Sequence, residues 1–264
     1  MNLLFDTHAH INTKPFIDDI EATIKEAREN GIAKIGCVGY DKEANLKAIE
    51  LAQQFPGIVY AIIGLHPAEL NGLTHQDYEA YVAMLDQPGV VAVGEIGLDY
   101  YWDNIDREIQ KDYFRRQIHI AKEKNLPIVI HNRDATQDTY DILKEEGLDH
   151  IDCIMHSYSG SVEMAREFIK LGCYISISGV VTFKNAKSVK EVVKEVDMDK
   201  LLIETDCPYL TPVPFRGQTN YPQYTYYVAK EIALIKGISE EEVIKQTYIN
   251  GCKVFKIKEE AADE

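Results

Sequence analysis

The sequence predicts an α/β protein of the (β/α)8 TIM-barrel kind, on three observations. Eight short apolar runs recur along the chain, each followed by an amphipathic or charged stretch of helical length. Most of these runs are apolar on successive residues, as strands buried on both faces of a parallel sheet must be. The length, 264 residues, suits one such barrel and is long for an ordinary domain. An open doubly wound sheet is the competing arrangement. Against it, no Gly-x-Gly-x-x-Gly turn follows the first run.

The expected strands are Leu3–Asp6, Lys34–Val38, Val59–Ile63, Val90–Gly94, Pro127–Ile130, Asp152–Met155, Tyr174–Ser178 and Leu201–Glu204. The expected helices between and after them are Ile17–Asn30, Glu43–Phe55, His75–Leu85, Asp106–Lys124, Thr136–Glu146, Ser161–Leu171, Ala186–Val196, Gln223–Lys236 and Glu240–Lys256. Several end at a glycine that can cap them, among them Gly31, Gly147 and Gly172. No linker or low-complexity block interrupts the pattern. One domain is therefore expected over 1–258, with 259–264 an acidic, disordered tail.

Composition narrows the class. Hydrophobic residues make up 45% of the chain, enough for a large core, yet no apolar run is long enough for a membrane span. No basic segment followed by a hydrophobic one opens the chain, so a cytoplasmic protein without a signal peptide is expected. The five cysteines are scattered and form no CxxC, which fits reduced structural thiols. Cys207 stands apart because it follows a candidate ligand, Asp206. The net charge of −15 argues against an extended basic nucleic-acid surface. It leaves room for a polyanionic substrate at a pocket where metal ions supply the positive charge.

In a barrel all strand C-termini open onto one face, where catalytic residues gather. Asp6-Thr7-His8-Ala9-His10 ends the first strand. Gly64-Leu65-His66-Pro67 ends the third and Gly94-Glu95-Ile96-Gly97-Leu98-Asp99 the fourth. Ile130-His131-Asn132-Arg133 ends the fifth, Met155-His156-Ser157 the sixth and Ile203-Glu204-Thr205-Asp206 the eighth. Five of the eight histidines thus fall on one expected face. One histidine there could be an ordinary hydrogen-bonded residue; five with two carboxylates point to metal. His8, His10 and Asp206 can hold one ion and His131 and His156 another, with Glu95 bridging through its two oxygens. Such a pair activates water for hydrolysis, and the chain has no Gly-x-Ser-x-Gly elbow to suggest a serine nucleophile.

These stretches, with Tyr158-Ser159-Gly160, Cys207-Pro208 and Pro214-Phe215-Arg216-Gly217, resemble the TatD family of metal-dependent hydrolases. That family is usually described as deoxyribonucleases and placed among the amidohydrolase-like barrels. The resemblance runs through Lys258. It implies a metallo-dependent hydrolase barrel with His8, His10, Glu95, His131, His156 and Asp206 as metal ligands. It further implies two divalent ions (Mg²⁺, Mn²⁺ or Zn²⁺) and DNA as substrate. Some members lack the His-x-His pair that this chain keeps. Asn250-Gly251 departs from the family's more usual Asn-Ala, a difference expected to affect packing. No lysine stands where related barrels place a modified bridging lysine, and Glu95 takes that role.

Other residues carry weaker expectations. His66 is a candidate for a phosphate or leaving-group contact, against a turn histidine beside Pro67. Asp206 can accept a proton as well as bind metal, so the catalytic set expected is Asp206, Glu95 and His66. Arg133 and Arg216, on the active face, can grip phosphate or form structural ion pairs, and Lys184 is a lesser candidate. Strand alternation turns Glu204 away from the ligands, behind them or into the core. The tyrosines near Trp102 and from Tyr209 to Tyr227 can stack on bases or simply pack. A monomer without obligate partner is expected. The leading function is a deoxyribonuclease trimming single strands from an end. Its alternatives are a hydrolase of a small ester, lactone, amide or other phosphoester and, remotely, a non-enzymatic metal-bound module.

Overall fold

The computed structural model describes residues 3–102 and 104–259. The expected tail falls outside them apart from Glu259. Among the described residues the parallel strands β1 (Leu4–Ala9), β2 (Ile32–Val38), β3 (Val59–Ile63), β4 (Val90–Asp99), β5 (Ile128–Arg133), β6 (Cys153–Met155), β7 (Cys173–Ile177) and β8 (Leu201–Ile203) lie in sequential order. Helices α1 (Ile20–Glu29), α2 (Lys42–Gln54), α3 (His75–Met84), α4 (Arg107–Lys124), α5 (Thr136–Glu146), α6 (Val162–Lys170), α7 (Lys187–Glu195) and α8 (Thr225–Lys236) separate or follow the strands, and α9 (Glu240–Val254) ends the array. The result is a nearly closed (β/α)8 barrel.

The successive apolar residues of each strand serve two layers, as the sequence suggested. One set, Phe5, Ala33, Ile62, Ala92, Val129, Ile154, Tyr174 and Leu202, supplies one residue per strand to a single buried cluster inside the barrel. The neighbouring residues face the helices in a larger cluster. Helix α9 closes the bottom, adding Tyr248, Cys252 and Phe255 to the inner cluster. It can approach because Gly251 has no side chain: a Cβ there would lie 2.5 Å from Cδ1 of Phe5.

The seam between β8 and β1 is held by the segments that carry the candidate ligands. Asp206 N donates to His8 O at 2.9 Å, and His10 N donates to Cys207 O at 2.8 Å. Below them Thr205 donates from its N and Oγ1 to the buried Asp6, at 2.8 and 2.6 Å. Barrel closure and ligand placement therefore use the same backbone.

Three boundaries differ from expectation in an informative way. Strand β4 runs on from Gly94 to Asp99 and β5 from Ile130 to Arg133, because the two pair as Gly97↔His131, Leu98↔Asn132 and Asp99↔Arg133. Gly97 permits this pairing: its φ is +136°, and a Cβ would meet His131 O at 2.1 Å. Glu95 and His131 are thus sheet residues, held more rigidly than loop residues would be. Helix α1 begins at Ile20, not Ile17, because the Asp19 side chain caps it by accepting from Ala22 N at 3.1 Å.

Candidate metal centre

The strand ends bring His8, His10, Glu95, His131, His156 and Asp206 into one cluster. Glu95 is its middle. Its Oε2 lies 3.5 Å from His8 Nε2, while its Oε1 lies 2.7 Å from His131 Nδ1 and 3.5 Å from His156 Nε2. On the other side, His8 Nε2 and His10 Nε2 are 3.3 Å apart, and Asp206 Oδ1 lies 3.3 Å from His10 Nε2 and 3.7 Å from His8 Nε2. Donors bound tetrahedrally to one ion at about 2.0–2.1 Å stand about 3.3–3.5 Å from one another. The His8–His10, His8–Glu95 and His10–Asp206 spacings match that figure and the His8–Asp206 spacing is slightly longer, so this donor set suits a divalent cation.

The partners behind each imidazole decide which nitrogen faces the cluster with a free lone pair. His10 Nδ1 lies 3.0 Å from Val38 O, and a carbonyl can only accept, so Nδ1 carries the hydrogen and Nε2 is bare in the neutral ring. His156 Nδ1 lies 2.7 Å from Glu204 Oε1, a short but poorly aligned contact, again leaving Nε2 for the cluster. His131 is turned the other way: Nε2 lies 2.8 Å from Asp99 Oδ2 and Nδ1 faces Glu95. Among the described residues the buried Nδ1 of His8 has no hydrogen-bond partner, while its Nε2 faces the cluster.

His66 obeys the opposite logic. Its Nδ1 accepts from Ala68 N at 3.1 Å, so the neutral ring bears its hydrogen on Nε2, which points toward Glu95 Oε1 at 3.8 Å. Burial lowers its pKa to about 4, outweighing the attraction of Glu95. At neutral pH His66 therefore offers the cluster a hydrogen-bond donor, its Nε2–H.

Charges inside the cluster are strongly coupled. Burial opposes ionisation of Glu95, yet His156, His131 and His8 hold its carboxyl well below the usual range. Burial likewise opposes ionisation of Asp206, and His10 and His156 keep it low. The pKa of His131 rises to about 9 against its burial, through Asp99 and Glu95, and that of His156 to about 10, through Glu204 and Glu95. In the metal-free cluster His131 and His156 thus hold their protons against burial.

Two residues that the sequence left unassigned or only loosely placed stand directly behind candidate ligands. Asp99 appeared in a strand-end motif with no role; it is buried and contacts His131. Glu204 is fully buried behind His156 and also accepts from Ser157 N at 2.9 Å. A carboxylate lying a short, even spacing beyond a candidate ligand on one strand, as Asp99 lies beyond Glu95, was the available signal.

The other candidates lie farther out. Arg133 makes no ion pair with any described residue; its guanidinium lies 3.7 Å from the Tyr101 ring centroid. Arg216 lies 4.2 Å over Phe183, not against the cluster. Cys207 is buried, and burial pushes its thiol well above the usual range, so it is an inert packing group. Of the tyrosines from 209 to 227, Tyr221, Tyr224, Tyr226 and Tyr227 pack on one another and on Phe215 or Phe16. Tyr209 is the exception, 61% exposed with its ring 6.3 Å from that of His10.

A parallel (β/α)8 barrel that gathers imidazoles and carboxylates at its strand C-termini has the architecture of the metal-dependent hydrolases. The family model described as TatD related DNase matches residues 5–256, and the chain belongs to that family. It is 48% identical to the uncharacterized metal-dependent hydrolase YabD of Bacillus subtilis (strain 168), over 97% of this chain and 100% of the relative. It is 34% identical to the uncharacterized metal-dependent hydrolase YcfH of Escherichia coli (strain K12), over 96% of each. Among solved structures, the TatD homolog YjjV of Escherichia coli K12 superposes with a TM-score of 0.91 at 30% identity, over 97% of this chain and 98% of that one. Among the described residues no helix is long and apolar enough to cross a membrane.

Proposed function

We propose that this metal-dependent hydrolase cleaves phosphodiester bonds in DNA, trimming single strands from an end. The observation that carries the proposal is the placement of Glu95 between two donor groups. His8, His10 and Asp206 stand on its Oε2 side, His131 and His156 on its Oε1 side. The family description, TatD related DNase, supports DNA as the substrate.

In this reading His8, His10, Asp206 and Glu95 would hold one divalent ion, and Glu95, His131 and His156 a second. Mg²⁺, Mn²⁺ and Zn²⁺ are the candidates; the imidazoles favour Zn²⁺ or Mn²⁺ on affinity. Bound there, such ions supply Lewis acidity that polarises a phosphoryl oxygen and acidifies a water molecule. Asp206, ionised and facing the cluster, takes the proton from the attacking water. His66 donates from Nε2 to the phosphoryl or departing oxygen, which its neutral state allows near neutral pH. Asp99 and Glu204 fix the rings of His131 and His156.

The test is hydrolysis of end-labelled single-stranded DNA by metal-loaded protein, beside a panel of small esters, lactones, amides and phosphoesters. Asp206→Ala is expected to lower DNA cleavage by about 10²–10⁴-fold, and Glu95→Ala to abolish it. Undiminished cleavage in both variants, or turnover of a non-nucleotide ester far above that of DNA, overturns the proposal.

A further inference from the structure

Beside His131 the barrel mouth carries an aromatic group that neither packing nor the metal cluster explains. Tyr101 and Trp102 are each 54% exposed, and their rings meet edge-on with centroids 4.9 Å apart. Arg133 lies 3.7 Å from the Tyr101 centroid and 6.0 Å from that of Trp102. Its guanidinium is without a carboxylate among the described residues. Tyr100 shows how a packing aromatic looks in the same loop. It is half-buried, Arg107 lies 4.2 Å over its ring, and its hydroxyl donates to Asp138 Oδ2 at 2.6 Å.

The backbone that carries the exposed rings is nonetheless anchored. Asp99, only 2% exposed, uses both oxygens: Oδ2 contacts His131 Nε2 at 2.8 Å, and Oδ1 accepts from Tyr101 N and Trp102 N at 3.0 and 3.3 Å. Gln110 grips the same residue's backbone, accepting from Asp99 N at 2.9 Å and donating to Asp99 O at 3.0 Å. One carboxylate thus ties a metal-cluster histidine to the loop that presents the aromatics. Arg133 is two residues from His131 on the paired strand. Exposed apolar rings on a clamped loop, with a planar cation stacked on them that has no carboxylate partner among the described residues, match what an unpaired base and its phosphate require.

We propose that Tyr101, Trp102 and Arg133 form a nucleotide subsite, in which Trp102 stacks on one unpaired base and Arg133 binds the adjoining phosphate. Asp99 is its positioning residue. The proposal rests on the phosphodiesterase reading above and narrows the substrate to strands whose terminal bases are free to stack. A duplex interior hides the faces of its bases and does not fit.

Trp102 is the chain's single tryptophan, so its fluorescence reports occupancy of this subsite alone. Mg²⁺-loaded full-length protein is titrated with a hydrolysis-resistant, phosphorothioate-linked oligothymidylate. Trp102 emission and the anisotropy of the labelled strand are both followed. Saturable quenching that tracks the anisotropy is expected, with none from inorganic phosphate. Trp102→Ala is expected to weaken binding about tenfold. Arg133→Gln is expected to reduce the salt dependence, the slope of log K against log salt, by about 0.7. Asp99→Ala is expected to weaken oligonucleotide binding and quenching even at saturating Mg²⁺, and more than His131→Ala does, which a residue acting only through His131 would not do. Binding by anisotropy without a change in emission, or wild-type affinity in Trp102→Ala, overturns the subsite. If the emission is quenched but metal-loaded protein leaves DNA uncut, the subsite stands and the phosphodiesterase reading falls. If DNA is cut while the emission is silent, the reverse holds.

Discussion

Glu204 Oε1 lies 2.7 Å from His156 Nδ1, on the opposite side of the imidazole from Glu95, whose Oε1 is 3.5 Å from Nε2. The ring is thus held between two buried carboxylates. Glu204→Gln keeps the shape but removes the charge that orients and enriches the imidazole. It is expected to weaken divalent-metal binding by about 10–100-fold, measured by calorimetric titration. Wild-type affinity in that variant would show that Glu204 only packs.

Metal affinity is expected to depend on pH through His131 and His156. Both are raised in the folded protein, to about 9 and about 10, against an unfolded value of about 6.5. The stability their charged forms give the metal-free protein is complete below about 6.5 and is lost as pH rises through about 9 and then about 10. Thermal melts of metal-free protein are expected to shift downward across that window. Binding of a cation expels the same protons, so affinity should rise with pH by up to about two log units per pH unit. An affinity that stays flat from neutral pH to about 9 would contradict the protonation described here.

His66 is expected to matter for turnover and not for metal. Its Nδ1 is occupied by Ala68 N and its Nε2 bears the hydrogen, so it has no lone pair to offer an ion. His66→Ala is expected to lower kcat by about 10²–10³-fold. Metal stoichiometry and affinity should be retained, and His66→Gln, which keeps an N–H donor, should lose less. Loss of an ion in His66→Ala would reassign the residue to the ligands.

Gly251 is expected to be a stability position. The missing side chain lets α9 seat on the barrel floor, where an added Cβ would overlap the buried ring of Phe5. Gly251→Ala should destabilise the fold by about 1–3 kcal/mol in denaturant melts while leaving metal binding intact.

Much of this was legible before any coordinates. A parallel barrel sends all strand C-termini to one face, so histidines and carboxylates scattered from residue 8 to residue 206 could be grouped without knowing a distance. Two-faced burial of the strands was equally visible in their unbroken apolar runs. Directions within the strands were harder. The pairing of β4 with β5 shifts register between Val93 and Ile96, so alternation alone does not say that Asp99 reaches His131. The tautomers depend on partners far away in sequence: Val38 for His10, Ala68 for His66, Glu204 for His156. Nor does residue type separate the exposed Trp102 from the half-buried Tyr100, because the Asp138 carboxylate that accepts from the Tyr100 hydroxyl comes from α5.

The central claim is that Glu95 divides the cluster into two separable metal positions, one of which depends on His8 and His10. Counting ions per chain by native mass spectrometry in Mn²⁺ or Zn²⁺, for wild-type protein and His8→Ala/His10→Ala, tests it most directly. Two ions in the wild type and one in the double variant are expected. One ion in the wild type, or loss of both together in the variant, would contradict the division at Glu95.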